Sequence, residues 1–367
     1  MTIRIIQNQE DLNKLRPAWV QLERPPHLPM QQFIWWQACA SAFTQNGELR
    51  IVVVEEGNDV VAIAPLVQPA GKAGAEMLGA SQFSEPTDVL YANEDVLPVL
   101  AEAIVGLRIP LSLRRVPADS LLPNALAKAY RRRGMLIARP GNPWPWITLD
   151  PSWAEPESKF NSKRRAYLHR ARRIAEELGT VTSEVVTPTP ATLQPLLEKA
   201  FAVEAAGWKG KAGTALALDP LRGTFYRRYT AAACEAGTLR LCFLHINGRA
   251  AAMQIAIETG HRLWLMKIGY NDKFSACSPG NLLMQETIRH AATRGLSSIA
   301  FLGEMEPWKE QWTQEQNRCV VLRGYPLGFR GGIRLATDVA EFTWHKLMNQ
   351  TSAICRKALR RRVGSPH

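Results

Sequence analysis

Two stretches far apart in the chain align without a gap: Gly47-Glu-Leu-Arg-Ile-Val-Val-Val-Glu-Glu-Gly-Asn-Asp-Val-Val-Ala-Ile-Ala64 and Gly237-Thr-Leu-Arg-Leu-Cys-Phe-Leu-His-Ile-Asn-Gly-Arg-Ala-Ala-Ala-Met-Gln254. Each is an apolar run, a Gly/Asn turn and a second apolar run, the pattern of a β-hairpin. The flanks repeat as well. Ile3 to Ile6 followed by an amphipathic stretch from Glu10 to Leu22 parallels Val181 to Val186 followed by Thr192 to Glu204. A further helical segment precedes each hairpin, Phe33 to Phe43 and Leu221 to Cys234. A unit of strand, helix, helix and hairpin written twice predicts two lobes on one plan. The chain length agrees, because 367 residues are more than one compact core holds.

After the second hairpin the pattern continues with a strand from Arg262 to Ile268, a loop, and a helix from Gly280 to Arg294 whose Met284, Ile288 and Ala291 recur at the spacing of a buried stripe. A short strand from Ser298 to Leu302, another helix, and a strand from Cys319 to Leu322 follow. Pro140, Pro143, Pro145, Pro151 and Pro156 crowd together and predict a linker, since proline breaks helices and lacks a ladder donor. The lobes therefore divide near residue 150, giving 1–150, a basic linking helix in 151–180, a second lobe in 181–335, and a C-terminal helix and basic tail in 336–367. In the linking helix, Glu157 to Leu178, an apolar face of Tyr167, Ala171, Ile174 and Leu178 stands opposite a positive one.

Composition narrows the class of protein. At 46% hydrophobic and 21% charged residues the chain is globular. Its N-terminus goes straight into polar residues, without the apolar stretch of a secretory signal. Runs such as Val60 to Val67 and Ala250 to Ile257 are far shorter than the ~20 residues of a membrane span. Six scattered cysteines, with no Cys-x-x-Cys pair and no histidine at zinc-like spacing, read as reduced thiols of a cytoplasmic protein without a metal. The net charge of +12 is partly concentrated in Lys159 to Arg173 and Arg356 to Arg362, and favours an anionic partner. Nucleic acid is disfavoured, because Tyr167, an aromatic interleaved with the basic helix, falls on its apolar face. Peripheral contact with an acidic membrane face stays open.

Several residues carry both a chemical and a plain structural reading. Ser278, Pro279, Gly280 and Asn281 open a helix, and a well-capped helix start is also the geometry that phosphate needs. Glu304 follows the Ser298 to Leu302 strand, where open α/β sheets keep their ligands, as a general base or as a solvated turn acid. Glu306 nearby suits a helix N-terminus. Lys309, after Trp308, holds an anion or is a surface lysine. Asp272 orients an amine or belongs to an Asn-Asp turn. Tyr270 protonates a leaving group or is core. Trp208, Lys209 and Gly210 form a lysine-flanked glycine loop suited to lining an acceptor pocket.

The order of strand, loop and helix over Leu263 to Arg294 resembles the GNAT fold. Trp208-Lys-Gly210, Gly269-Tyr270-Asn-Asp272, Ser278-Pro-Gly-Asn-Leu-Leu283, Phe301-Leu-Gly-Glu304 and Pro307-Trp-Lys309 resemble the CelD/BcsL group of acyltransferases. That group consists of tandem-lobe relatives of the Fem-type aminoacyl transferases. Leu78-Gly79 and Glu85-Pro-Thr-Asp88 in the first lobe match it too. The resemblance implies an α/β (α+β) architecture of tandem GNAT-like lobes, each a mixed central sheet flanked by helices. It also implies an acyl-CoA co-substrate whose pyrophosphate rests on backbone amides around Ile268, Gly269, Ser278, Pro279, Gly280, Asn281 and Leu282. The acyl group would pass to an amine or hydroxyl on a small-molecule or glycan-linked acceptor, in exopolysaccharide or cell-envelope chemistry. Trp208, Lys209, Gly210, Asp272 and Trp308 would face that acceptor, with Glu304, Tyr270 and Lys309 catalytic. The paired glycines of the strict GNAT phosphate pattern are absent, with only Gly280 present. The first lobe has no such loop and reads as a degenerate copy. The alternatives are a Fem-like transfer from aminoacyl-tRNA, or a non-catalytic module that binds an acidic partner or a membrane surface.

Overall fold

A computed structural model describes residues 1–23, 28–43, 47–341 and 343. Most of the expected C-terminal tail, with Arg356 to Arg362 and Cys355, lies outside them. Each repeat becomes an antiparallel meander. In the first lobe Thr2–Ile6 pairs with Ile51–Glu56, that strand with Asp59–Ala64, and the last with Leu90–Tyr91. In the second, Val181–Val186 pairs with Leu239–Ile246, then Arg249–Thr259, then Arg262–Tyr270. The two series correspond strand for strand. Their fourth members differ, two residues in the first lobe and nine in the second. Among the described residues, the fourth strand is thus long enough to carry a site on its edge in the second lobe and not in the first.

The proline cluster is not a linker. Gly134–Thr148 is a single strand, antiparallel to both Gln316–Pro326 and Ser298–Ala300, and it joins strands of both lobes into one sheet, of eleven strands among the described residues. Pro143 is tolerated there because the register breaks at it: Trp144 faces Asn317 and Gly141 faces Cys319, so Asn142 and Pro143 oppose Arg318 alone. A bulge needs no donor from the residue it expels. Pro151 and Pro156 open short 3₁₀ turns that lead to the basic helix.

The equivalent helices Phe33–Phe43 and Pro220–Glu235 pack on each other across the lobe boundary. Trp35 meets Phe225 at 4.8 Å and Tyr229 at 5.3 Å, and Phe83 meets Phe225 at 4.3 Å. Burying one such aromatic contributes about 4–6 kcal/mol before entropy, so this seam holds the lobes as one body. The stretch from Glu10 to Leu22 is two helices, Gln9–Lys14 and Arg16–Leu22, with Pro17 in the first turn of the second. The basic helix is shorter than expected, Ser162–Glu177, and its buried residues are Leu168, Ala171 and Ala175, while Tyr167 and Leu178 are exposed. Met284, Ile288 and Ala291 form the buried stripe of Pro279–Thr293 as anticipated. The five described cysteines are buried and unpaired. No helix among the described residues is long and apolar enough to cross a membrane.

Candidate active site

The site is built on Arg262–Tyr270. One edge of this strand pairs along its length with Arg249–Thr259, but the other pairs in parallel with Ser298–Ala300 only at Arg262, Leu263 and Trp264. Past Trp264 the two strands part and a cavity of about 760 Å³ opens. The register breaks at the same place, where Lys267 faces Ile255 and Leu265 faces Ala256, leaving Met266 unpaired. Since Asn271 N–H bonds to Ala251 O, alternation along the strand turns the backbone groups of Gly269 and Lys267 toward Arg249–Thr259 and those of Ile268 toward the open edge. Two carbonyls of that edge are already satisfied. Lys209 Nζ donates to Ile268 O at 2.8 Å, and the Tyr226 hydroxyl to Met266 O at 2.9 Å. The Ile268 N–H remains aimed at the cavity.

A 3₁₀ turn, Asp272–Cys277, leads from the strand to the helix Pro279–Thr293. Ser278 has φ 47° and does not cap its own helix. Its Oγ instead accepts from the Tyr167 hydroxyl of the basic helix at 2.6 Å, and Asn281 Nδ2 donates to the Tyr167 oxygen at 3.1 Å. The N–H groups of Asn281 and Leu282 close on Ser278 O, and proline has none, so the Gly280 N–H is the helix-start donor with no partner among the described residues. A Cβ there would meet only Tyr270 Cδ1, at 3.7 Å. An uncommitted N–H at the positive end of a helix suits an anion.

The opposite wall is the loop after Ser298–Ala300. Leu302 and Gly303 both have left-handed φ, and the buried Lys309 holds them by donating to Leu302 O at 2.9 Å and Glu304 O at 2.6 Å. Burial lowers the Lys309 pKa, against the pull of Glu306. The first lobe reaches in here. Glu85 accepts from Gly303 N–H at 3.1 Å and lies 3.6 Å from Arg115 Nη1. Burial raises the Glu85 pKa, with Arg115 opposing. The fourth wall is the end of the helix Pro190–Ala205 and the short helix Trp208–Lys211. It sits close on the strand because Gly269 lacks a side chain: a Cβ would lie 3.0 Å from Glu204 Cα. Glu204 is fully buried there, with Lys267 Nζ at 3.0 Å and Lys209 Nζ at 3.4 Å. Burial, then the charge of Lys267, lowers the Lys209 pKa.

Of the residues singled out in the sequence, Trp208, Lys209, Ile268, Gly269, Tyr270, Ser278, Pro279, Gly280, Asn281, Trp308 and Lys309 all line this one cavity. Four do not. Gly210 is pressed on backbone, where a Cβ would fall 1.8 Å from Ala205 O. Asp272 pairs outward with Lys211 at 2.7 Å. Leu282 is turned into the core. Glu304 is exposed, its carboxylate accepting from Asn142 Nδ2, and it offers the site only its carbonyl. The cavity adds three residues whose site role the sequence left unassigned, Glu85, Glu204 and Lys267, and it includes Glu306, which accepts from Trp308 Nε1 at 2.5 Å. Glu85 stands in the Glu85-Pro-Thr-Asp88 landmark, but nothing in its spacing ties it to a loop 218 residues away.

Residues 162–310 match the model of the acetyltransferase (GNAT) domain family. A search of curated proteins finds no match. Among solved structures, the C-terminal domain of a candidate lysylphosphatidylglycerol synthetase from Agrobacterium fabrum superposes with a TM-score of 0.56 at 12% identity, covering 90% of this chain and 96% of that one. A conserved protein of unknown function from Bacteroides thetaiotaomicron gives 0.55 at 12% identity over 88% and 99%. FemX gives 0.55 at 10% identity over 89% and 98%. Such identities establish fold alone. With the two matching meanders and the parted strands, they show that the chain has a tandem-lobe GNAT-type fold, and its likeness in sequence to the GNAT acetyltransferase domain falls on the lobe that holds the cavity.

Proposed function

We propose that this cavity transfers an acyl group from an acyl-CoA thioester to an amine or hydroxyl acceptor. The observation that carries the reading is the parting of Arg262–Tyr270 from Ser298–Ala300, which opens a cavity between the Ile268 N–H and the free Gly280 N–H at a helix start. One donor suits a developing oxyanion and the other a phosphate. The acceptor attacks the thioester carbonyl and yields its proton to Glu85, whose burial raises its affinity for one. The oxyanion is held at Ile268 N–H, the C–S bond then breaks, and the thiolate takes a proton from Tyr270, whose hydroxyl has no hydrogen bond to the described residues. Lys309 keeps the Leu302 to Glu304 loop in place while Trp208 and Trp308 flank the acceptor. Glu304, expected as the base, is replaced in this reading by Glu85 because its carboxylate faces Asn142. A cytoplasmic setting belongs to the same proposal, supported by the five unpaired thiols. So does an acceptor from exopolysaccharide or cell-envelope chemistry, which rests on the resemblance of the motifs to the CelD/BcsL group.

Thermal unfolding with acetyl-CoA, longer acyl-CoA thioesters and free CoA tests the donor. Stabilisation by thioesters that is lost in Gly280→Trp supports the reading, since space at that position makes the variant foldable. No stabilisation by any of them overturns it. A second reading, transfer from aminoacyl-tRNA, is favoured by the exposed Lys163 and Arg170 on the helix that supplies Tyr167 to the site. Stabilisation by aminoacyl-tRNA and not by thioesters would select it.

A further inference from the structure

Among the described residues six charged side chains line the cavity, and five of them are matched in a way the sixth is not. Glu85 has Arg115 at 3.6 Å, and Glu306 has Lys309 at 3.7 Å. At the acceptor wall one carboxylate faces two ammonium groups: Lys267 and Lys209 both approach Glu204 Oε1, while Glu204 Oε2 accepts from Leu216 N–H at 2.9 Å. Glu204 is 1% exposed and Oε1 makes no well-directed hydrogen bond, so the carboxylate organises the lysines and has no freedom to leave them. Both lysines remain open to the cavity. Among the described residues one positive charge there is uncompensated.

The surplus is costly in a protected site unless something negative arrives. Lys209 registers the crowding, its pKa lowered by burial first and by Lys267 next. The arrangement is nonetheless built in: Gly269 gives Glu204 room to come down on the strand, and Lys209 is anchored on Ile268 O. We infer that Lys267 and Lys209, set by Glu204, form a subsite for an anionic group, carboxylate or phosphate, that the acceptor carries close to its nucleophile. Calling the bound molecule the acceptor rests on the acyl-transfer reading, in which the donor's phosphates sit at the Gly280 helix start. The second ammonium group, left over once Glu204 has balanced the first, disfavours acceptors whose flanking group is neutral or cationic, because only an anion balances the pair. Trp208, 58% exposed with its ring 5.9 Å from Lys209 Nζ, offers a flat apolar face beside the charge.

The test uses the full chain with ¹⁵N-labelled lysine and follows the Nζ signals of Lys209 and Lys267, assigned through Lys→Arg variants. Inorganic phosphate and acetate are titrated separately against sodium chloride at matched ionic strength. The expected result is a saturable shift of both signals with one or both anions and none with chloride, the stronger anion naming the acceptor's group. Lys267→Met, which leaves Glu204 paired with Lys209 and so keeps the fold, should weaken that saturation at least about tenfold. Absence of a saturable shift with either anion, or unchanged saturation in Lys267→Met with the unfolding midpoint retained, overturns the inference. Acetyl-CoA stabilisation measured in parallel separates the two claims. Stabilisation without a lysine response sinks the subsite alone, and a lysine response without stabilisation keeps the subsite and sinks the donor.

Discussion

Burial pushes the Asp88 carboxyl up to about 7, against the opposing hydrogen bonds of Ser120 and of Val89 N–H, the latter at 2.8 Å. In the unfolded chain an aspartate titrates near 3.9. Between those values the unfolded state has lost the proton that the folded state keeps, so stability is full below about pH 4 and declines as pH rises through about 7. Asp88→Asn, which retains an acceptor for Val89 N–H, should abolish that decline. It should also exceed the wild type in stability at pH 8 by roughly 1–4 kcal/mol, given about 1.4 kcal/mol per unit of pKa. Urea midpoints of both proteins at pH 5 and pH 8 check this, and parallel pH profiles would remove Asp88 as the cause. At this scale the legible residues were those whose role is local. Ser278 to Asn281 are tied to a helix start by their own neighbours, and they line the cavity. The outward placement of Glu304 was not legible, because a carboxylate after a strand end says nothing of which way it points, and Asn142, which turns it outward, belongs to another strand. Lys267 was invisible because strand alternation is lost at a bulge.

Elements were read best where their periodicity is internal. Phe33–Phe43 and the stripe in Pro279–Thr293 follow from the spacing of apolar residues. In the basic helix the apolar face is one position off, because alanine and leucine at 168, 171 and 175 make the contact and Tyr167 is left to the site. That displacement has a use. Tyr167 stacks beside the Arg164 guanidinium at 5.2 Å, itself 4.7 Å from the Trp312 ring, so its hydroxyl is held over Ser278 and Asn281. Tyr167→Phe keeps the ring and removes two hydrogen bonds at the helix start. It should lower unfolding free energy by about 1 kcal/mol, measured as a shift in urea midpoint with unchanged slope. A change of slope would mean that the variant alters more than the contact. The proline-rich strand Gly134–Thr148 was read as a linker for the converse reason, that nothing inside it reports its partners. It is a strand because Gln316–Pro326 lies on one side and Ser298–Ala300 on the other.

For the whole molecule, duplication is legible in sequence and union is not. Two hairpins that align predict two lobes, yet the shared sheet and the cross-lobe site arise from pairings between segments without internal signal. Arg115 is where that union concentrates. It sits at a register break between Leu111–Pro117 and Gln316–Pro326 with φ 53°, a bulge that turns the side chain inward. Arg115 is 3% exposed, and its guanidinium donates to Ser84 O at 2.5 Å, Asn142 O at 3.0 Å, Gly303 O at 2.9 Å and Pro143 O at 3.4 Å, and faces Glu85. One side chain thereby links the first lobe, the joining strand and the cavity loop of the second. Arg115→Leu keeps apolar volume but strands four carbonyls and the Glu85 charge, so it should cost about 3–5 kcal/mol in unfolding free energy. Acetyl-CoA stabilisation should fall with it, because Gly303 loses the anchor that positions the cavity wall. Arg115→Lys should recover only part of the loss, since an ammonium cannot span the same carbonyls as a planar fork. Urea unfolding of all three proteins, with and without acetyl-CoA, measures both quantities. A Leu variant as stable as the wild type would show that the seam of Trp35, Phe225 and Tyr229 holds the lobes without this clamp.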